Sequence, residues 1–182
     1  MKKIKTTLKD GLVVEGDQFD NSDYSKLKEI FRDWVSINKK LKPLGGRGLN
    51  VPDVFSEALF CIFFNAIRTN GTAYSYDCVS LDTKAGIQVK SASIPNDLTS
   101  FGPTSTWDEI YYVDFAPNGK VDGKVNFYKI DIDFSDLVLN AKKGETFHDQ
   151  QLQGRRPRFS MKNQLIKAYG IKPSLSIDLM ED

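Results

Sequence analysis

The feature that most constrains the fold is an apolar segment near the middle of the chain. The spacing of its apolar residues predicts a helix over Val51 to Arg68, with Asn50 as N-cap and Asn70-Gly71 as its end. Apolar side chains cover most sides of the later half, from Ala58 to Ile67. Such a helix must be buried, so we expect it to be central. One charged residue, Glu57, stands at the start of this apolar run.

The rest of the pattern predicts an α/β fold with a mixed central β-sheet flanked by helices. Weak alternation at Met1 to Asp20 fits a short hairpin or strand, and Gln150 to Arg158 reads as a basic loop. Strands are predicted at Ala73 to Leu81, Ile87 to Ser93, Glu109 to Phe115 and Val125 to Ile132. Further helices are predicted at Ser22 to Lys40, Phe134 to Lys143 and Ser160 to Tyr169, the last with Gly170 as its stop.

Length and composition favour one compact domain spanning residues 1–182. The longest apolar run, Ala58 to Phe64, is too short to cross a bilayer, and the basic N-terminus has no apolar signal core. We therefore expect a soluble, cytoplasmic protein without a membrane partner. Cys61 and Cys78 are expected to be buried free thiols.

Charge is distributed unevenly although the net charge is only +1. Residues 141–170 carry seven Lys or Arg against two acids, whereas residues 107–136 carry seven acids against three Lys. A basic face could follow the phosphates of a nucleic acid, and an ordinary solvated surface is the alternative.

The residues that carry chemistry lie on two neighbouring strands. Gln88 and Lys90 alternate with apolar residues, so they share one face of their strand. If that strand pairs antiparallel with the preceding one, Asp77 comes alongside them. An acid, an amide and an ammonium group then converge on one site.

This combination suits metal-dependent hydrolysis of a phosphodiester. A hard divalent cation such as Mg²⁺ binds oxygen ligands, and we expect the Asp77 carboxylate, the Gln88 side-chain carbonyl and the Val89 backbone carbonyl to supply them. The ion would lower the pKa of a bound water molecule. Lys90 would orient that water or stabilise developing negative charge.

These residues resemble the PD-(D/E)XK nuclease superfamily. Tyr76-Asp77 stands where that superfamily has Pro-Asp, and Gln88-Val89-Lys90 stands where it has (Asp/Glu)-X-Lys. Glu57 matches the additional helix acid of many members. The resemblance implies that Glu57, Asp77, Gln88 and Lys90 are the catalytic residues.

Gln88 departs from the superfamily pattern because Gln is neutral. Negative charge at the site must then come from Asp77 and Glu57. Asp82 is a second candidate acid, but its position favours a role in the turn. Two alternatives to restriction stay open on this evidence: a repair or junction nuclease of the same fold, and a non-catalytic DNA-binding protein. A third is a structural or protein-binding domain.

Longer stretches are similar to small type II restriction endonucleases, nearest to those that cut GCNGC. They are Asn96 to Pro103, Trp107 to Phe115 and Gln153 to Ser160. The resemblance implies Mg²⁺-dependent cleavage of double-stranded DNA at a short, symmetric site by a homodimer. It also implies a cognate DNA methyltransferase in the same cell. The helix at Ser22 to Lys40, with Trp34, is a candidate dimer face, and internal packing is the alternative.

DNA recognition is expected to come from two segments. Arg155, Arg156 and Arg158 share a short loop, and arginine is the side chain best suited to guanine. We expect at least one of them to read guanine and the others to bind phosphate. The polar segment after Lys90 contributes further candidate contacts: Ser91, Ser93, Asn96, Thr99, Ser100, Thr104 and Ser105. Arg47, in a glycine-rich loop, is a further candidate.

Overall fold

The computed structural model describes residues 1–45, 48–69, 75–94 and 97–181. An N-terminal hairpin is followed by two helices, a set of strands and a C-terminal part with a short helix. The first elements are β1 (Lys2–Thr7), β2 (Val13–Gln18), α1 (Asn21–Leu41), a 3₁₀ turn (Lys42–Leu44) and α2 (Asp53–Phe63). Next come β3 (Ala66–Thr69), β4 (Cys78–Ser80), β5 (Gly86–Ala92), β6 (Thr99–Ser100), β7 (Glu109–Asp114) and β8 (Lys124–Lys129). Last are β9 (Val138–Asn140), β10 (Glu145–Thr146), α3 (Phe147–Leu152), β11 (Arg158–Phe159), a π-helix (Lys162–Lys167) and β12 (Leu175–Asp178).

The central sheet has eight strands in the order β1-β2-β3-β4-β5-β7-β8-β12. Strands β5 and β7 run parallel, whereas the other neighbours are antiparallel. This mixed sheet confirms the predicted fold class. Two short ladders, β6 with β11 and β9 with β10, lie outside the main sheet.

Helices cover one face of the sheet, and loops with short helices cover the other. Phe31 of α1 and Phe60 of α2 share a buried cluster with Ile87 of β5. On the opposite face, Phe101 and Met161 belong to a second cluster. The helix α2 is thus central, as its apolar sequence predicts. No helix in the described part of the chain is both long and apolar enough to cross a membrane.

Helix α1 follows the prediction for Ser22 to Lys40. Asp20 caps it: its carboxylate accepts the backbone N–H of Asp23, and the Asp23 carboxylate accepts the N–H of Asp20 in return. The Trp34 indole packs on Phe31, with the ring centroids 5.6 Å apart, and its N–H donates to the Leu49 carbonyl. Within this chain Trp34 therefore packs internally, which is the alternative stated above.

The predicted helix over Val51 to Arg68 is too long at both ends. Pro52 occupies the N-cap with an extended backbone, so Asn50 is not the cap. The helix ends at Phe63, and Asn65 takes a left-handed backbone with φ 44°. The chain then enters β3, whose pairing with β2 and β4 overrides the helical pattern. The predicted stop at Asn70-Gly71 lies outside the described residues.

The helix predicted over Phe134 to Lys143 is wrong. The Asp133 carboxylate accepts the N–H and hydroxyl of Ser135 in a tight turn, and β9 follows. Leu137 and Leu139 pack against the second cluster, a spacing of two that suits a strand.

The remaining boundaries need smaller corrections. The predicted basic loop from Gln150 is helical in its first part, since α3 begins at a capping box between Thr146 and Asp149. The strand predicted from Ala73 is β4 alone among the described residues, and Ala73 itself lies outside them. The helix predicted from Ser160 is present with π-type hydrogen bonds, and Gly170 follows it with φ 64°. Strand β12 was not predicted.

Candidate active site

The β4–β5 hairpin places Asp77 beside the Gln-X-Lys strand, as the antiparallel pairing predicts. Cys78 pairs with Ile87, and the Asp77 backbone N–H donates to the Ile87 carbonyl at 2.9 Å. The Asp77 side-chain Oδ2 accepts the Val89 backbone N–H at 2.8 Å and the Gln88 side-chain amide. The carboxylate is therefore held from two sides by consecutive residues of β5.

Gly86 is required at the start of β5 because the strand approaches Tyr76 closely. A Cβ at Gly86 would lie 2.7 Å from the Tyr76 ring. The Gly86 N–H also donates to the Asp108 carboxylate at 2.8 Å. These contacts anchor the hairpin next to Asp77, so the local backbone position depends on a residue without a side chain.

One face of β5 packs in the core, and the other face carries the candidate catalytic side chains. Ile87 and Val89 lie in the helix-side cluster, whereas Gln88 and Lys90 alternate with them on the other face. The Lys90 ammonium lies 5.5 Å from the centroid of the Phe101 ring. An ammonium over an aromatic face is held by a cation–π interaction, so Phe101 positions Lys90.

Glu57 of α2 lies within electrostatic range of Asp77 and is paired with Arg68. The Arg68 Nε donates to Glu57 Oε2 at 2.6 Å, and the two side chains are 24% and 10% exposed. Burial raises the pKa of the Glu57 carboxyl, and the negative charge of Asp77 adds to this rise, whereas Arg68 opposes it. Arg68 was missed in the sequence because it was assigned to the end of a helix.

Burial also raises the pKa of the Asp77 carboxyl. The Val89 N–H and the positive charge of Lys90 oppose the rise, and the negative charge of Asp53 adds to it. Asp53 lies in the first turn of α2, one turn before Glu57, and was likewise not singled out from the sequence. Glu57 is buried and Asp77 is half-buried, and the charge of Asp77 raises the pKa of Glu57, so a cation would stabilise this pair of carboxylates.

The donor set fits a hard divalent cation. Asp77 would supply a carboxylate oxygen, and Gln88 would supply an amide oxygen once its amide, which here directs the nitrogen at Asp77, has turned over. The N–H and C=O of one strand residue point to the same edge, so the Val89 carbonyl faces the side on which its N–H meets Asp77. No group of three or more His, Cys, Asp or Glu among the described residues is arranged to hold a metal ion. A site here would combine the Asp77 carboxylate with neutral oxygens, and oxygen-rich sets of this kind bind Mg²⁺ or Ca²⁺.

Arg68→Met is expected to lower the free energy of unfolding by about 3 kcal/mol at neutral pH. The change leaves the buried Glu57 carboxylate without its partner. Arg68 lowers the pKa of Glu57, so its stabilisation is present above that pKa and is lost as the pH falls through it. Urea unfolding at neutral and acidic pH measures the deficit. A deficit of the same size at both pH values would contradict the ion-pair account, and Arg68→Lys should restore most of the loss.

The two segments predicted to contact DNA are joined in the structure. Arg158 pairs with Ser100 and Phe159 with Thr99 in the β6–β11 ladder. The Phe101 N–H donates to the Pro157 carbonyl at 3.0 Å. Because Phe101 also underlies Lys90, the arginine loop is coupled to the active-site strand through one aromatic side chain.

The candidate DNA contacts differ in exposure. Arg155 is 44% exposed and pairs with Glu145 at 2.6 Å. Arg156 and Arg158 are exposed, as is Thr104. Ser91, Ser100 and Ser105 are half-buried, whereas Ser93 and Thr99 are buried. Arg47 and Asn96 lie outside the described residues. The buried thiols Cys61 and Cys78 are free, as predicted.

Comparison with known proteins identifies the family. The model of the Bsp6I restriction endonuclease family matches residues 19–168, a range that contains every residue of the site described above. The chain belongs to the Bsp6I restriction endonuclease family. It is 31% identical over 164 residues to the type II restriction enzyme Bsp6I of Bacillus sp. (strain RFL6), covering 89% of this chain and 91% of that protein. No solved structure matches the chain.

Membership in the Bsp6I family establishes the class of reaction. The chain is a restriction endonuclease, a hydrolase that cuts phosphodiester bonds of DNA. The predictions of a type II restriction enzyme and of a nuclease are confirmed. Enzymes of this class generally need a divalent metal ion, which agrees with the oxygen donors around Asp77.

Proposed function

We propose that the chain makes double-strand breaks in DNA at a short, symmetric sequence, with Mg²⁺ held by Asp77, Gln88 and Val89. The observation that carries the proposal is the Asp77 carboxylate. It is fixed by the Val89 N–H and the Gln88 amide, and it lies within electrostatic reach of Lys90 and Glu57. For Gln88 to bind the ion, its amide must turn so that its oxygen replaces the N–H₂ group beside Asp77.

Each catalytic side chain has a separate part in the proposed reaction. Mg²⁺, when bound, lowers the pKa of a water molecule and neutralises charge on the phosphate. Glu57 supplies the second negative charge that Gln88 does not. Lys90, held over Phe101, orients the attacking water or stabilises the charge that develops on the phosphate.

DNA binding is assigned to the arginine loop and the polar segment after Lys90. Arg155, Arg156 and Arg158 approach base edges or phosphates, and the serine and threonine side chains of the other segment contact the backbone. Arg47 and Asn96 remain candidates for the same role. A target of the GCNGC type stays a prediction.

A homodimer is the simplest reader of a symmetric site, each subunit cutting one strand. Helix α1 supports it: Ile30 and Ile37, two turns apart, are 49% and 44% exposed. We further propose that residues 1–182 form one nuclease domain, that the protein acts in the cytoplasm, and that a cognate DNA methyltransferase protects the host genome.

The test is incubation of the purified protein with a plasmid of known sequence, with Mg²⁺ and with EDTA, followed by electrophoresis. Discrete fragments with Mg²⁺ alone are expected, and mapping their ends gives the site and the stagger. Intact plasmid under both conditions, repeated with GC-rich DNA, would contradict the proposal.

A non-catalytic DNA-binding protein is the second candidate, and Gln88 is the observation that favours it. A neutral residue leaves the metal site with less negative charge than the superfamily pattern provides. Salt-dependent DNA binding without any metal-dependent cleavage would support this candidate. Gain of cleavage in Gln88→Glu alone would identify the missing charge as the cause.

A further inference from the structure

The three arginines of the loop Arg155 to Arg158 differ in their contacts. Arg155 is held by a carboxylate: its Nη2 lies 2.6 Å from Glu145 Oε2, and Glu145 is only 15% exposed. Arg156 and Arg158 are exposed and make no ion pair within the described part of the chain. One guanidinium is therefore fixed in direction before DNA arrives, and the other two are free to follow a phosphate.

Glu145 is itself held in place. Its backbone pairs with Asn140 in the β9–β10 ladder, and its carboxylate accepts from the Asn140 amide at 3.4 Å. The next residue, Thr146, caps α3. The hairpin that carries Glu145 is thus continuous with the helix that precedes the arginine loop.

The Arg155 backbone is fixed as well. Its N–H donates to the Gln150 carbonyl at 2.9 Å, which closes the end of α3, and Gly154 supplies the left-handed backbone there with φ 69°. Two residues later, the Pro157 carbonyl accepts the Phe101 N–H. Both ends of the loop are therefore anchored to elements that pack near the active-site strand.

Reading a guanine requires a fork of fixed direction, since both N–H groups must meet O6 and N7 together. Binding a phosphate does not, because charge alone attracts it from many directions. Base-reading groups perform best when neighbouring side chains lock their rotamers. Among the three arginines, Arg155 meets this requirement.

Building on the proposed function, we propose that Arg155 reads guanine and that Glu145 is the positioning residue that orients it. Arg156 and Arg158 bind phosphate and contribute affinity without specificity. A surface ion pair with no part in recognition is the competing account, and it predicts that Glu145 affects folding alone.

The experiment compares affinity for two duplexes, one with the cleavage site mapped on the plasmid and one without it. Binding is measured by fluorescence anisotropy with Mg²⁺ in the Lys90→Met background, which retains the metal donors. Arg155→Ala is expected to lower the ratio of the two affinities about tenfold to 100-fold. Arg155→Lys should recover affinity for the site-free duplex but not the ratio, because it restores charge without the fork.

Glu145→Gln separates orientation from charge. Loss of one negative charge near DNA should leave the affinity for the site-free duplex equal or higher, whereas loss of orientation should lower the ratio by about tenfold. The double variant Arg155→Ala/Glu145→Gln should have the ratio of Arg155→Ala alone, because Glu145 acts through Arg155.

Arg156→Ala is the matched control from the same loop. Both affinities should fall together, with a salt slope reduced by about one. Equal losses on both duplexes in Arg155→Ala, or an unchanged ratio in Glu145→Gln, would overturn the inference while cleavage of the plasmid still upheld the proposed function. Absence of any mapped site would overturn both.

Discussion

Asp77→Asn is expected to lower the rate of Mg²⁺-dependent DNA cleavage by at least about 10³-fold. The change removes one of the two negative charges, Asp77 and Glu57, on which the site depends, and Gln88 offers none in compensation. Initial rates on a supercoiled plasmid measure the loss. Asp82→Asn is the matched control: Asp82 lies in the turn of the same hairpin, and its carboxylate accepts the Asn65 amide at 2.7 Å, so cleavage should persist.

The same variant should be no less stable than the natural protein at neutral pH. Burial raises the pKa of Asp77 in the folded state, so the folded state is favoured below the ordinary pKa and loses this advantage as the pH rises through the raised value. At neutral pH the ionised, half-buried carboxylate therefore destabilises the fold. Unchanged or improved thermal stability together with lost cleavage would mark a site kept for function. Lost cleavage with a lower melting temperature would contradict that interpretation.

The sequence predicts the core of the site because the site is local. Asp77 and Gln88 are separated by ten residues, and a hairpin of that length needs only alternation and a turn to bring them together. The faces of β5 follow from its pleat, which puts Ile87 and Lys90 on opposite sides. The geometry of a site within one hairpin can therefore be predicted from the sequence pattern alone.

Side-chain partners that come from distant segments of the chain cannot be predicted in this way. Arg68 is paired with Glu57 only because the chain leaves α2 and returns as β3, a change that its helical spacing conceals. The pairing of Glu145 with Arg155 is likewise hidden in the sequence. A helix separates the two residues along the chain, and no strand was predicted at Glu145. Both partners depend on pairing between strands: at Arg68 it overrode a helical pattern, and Glu145 pairs with β9, which was itself predicted as a helix.

Lys90→Met is expected to reduce cleavage by about 10²- to 10³-fold while DNA binding persists. Methionine keeps the length of the side chain and its packing over Phe101 but removes the ammonium group. Single-turnover cleavage at saturating enzyme isolates the chemical step from binding. The cleavage rate of Lys90→Met should fall as much at saturating enzyme as it does at low enzyme concentration.

Lys129→Met serves as the control for loss of a lysine charge from a strand of the same sheet. Lys129 lies on β8, which β7 separates from β5, and its ammonium pairs with the Glu109 carboxylate at 3.4 Å. Its removal should leave the single-turnover rate within about twofold of the natural protein. Lys90 also lowers the pKa of Asp77, so Lys90→Met should shift the acidic limb of the pH–rate profile toward higher pH. A Lys90→Met variant with a full rate and an unshifted profile would remove Lys90 from the site. If the profile shifts but the rate stays full, the role of Lys90 is limited to keeping Asp77 ionised.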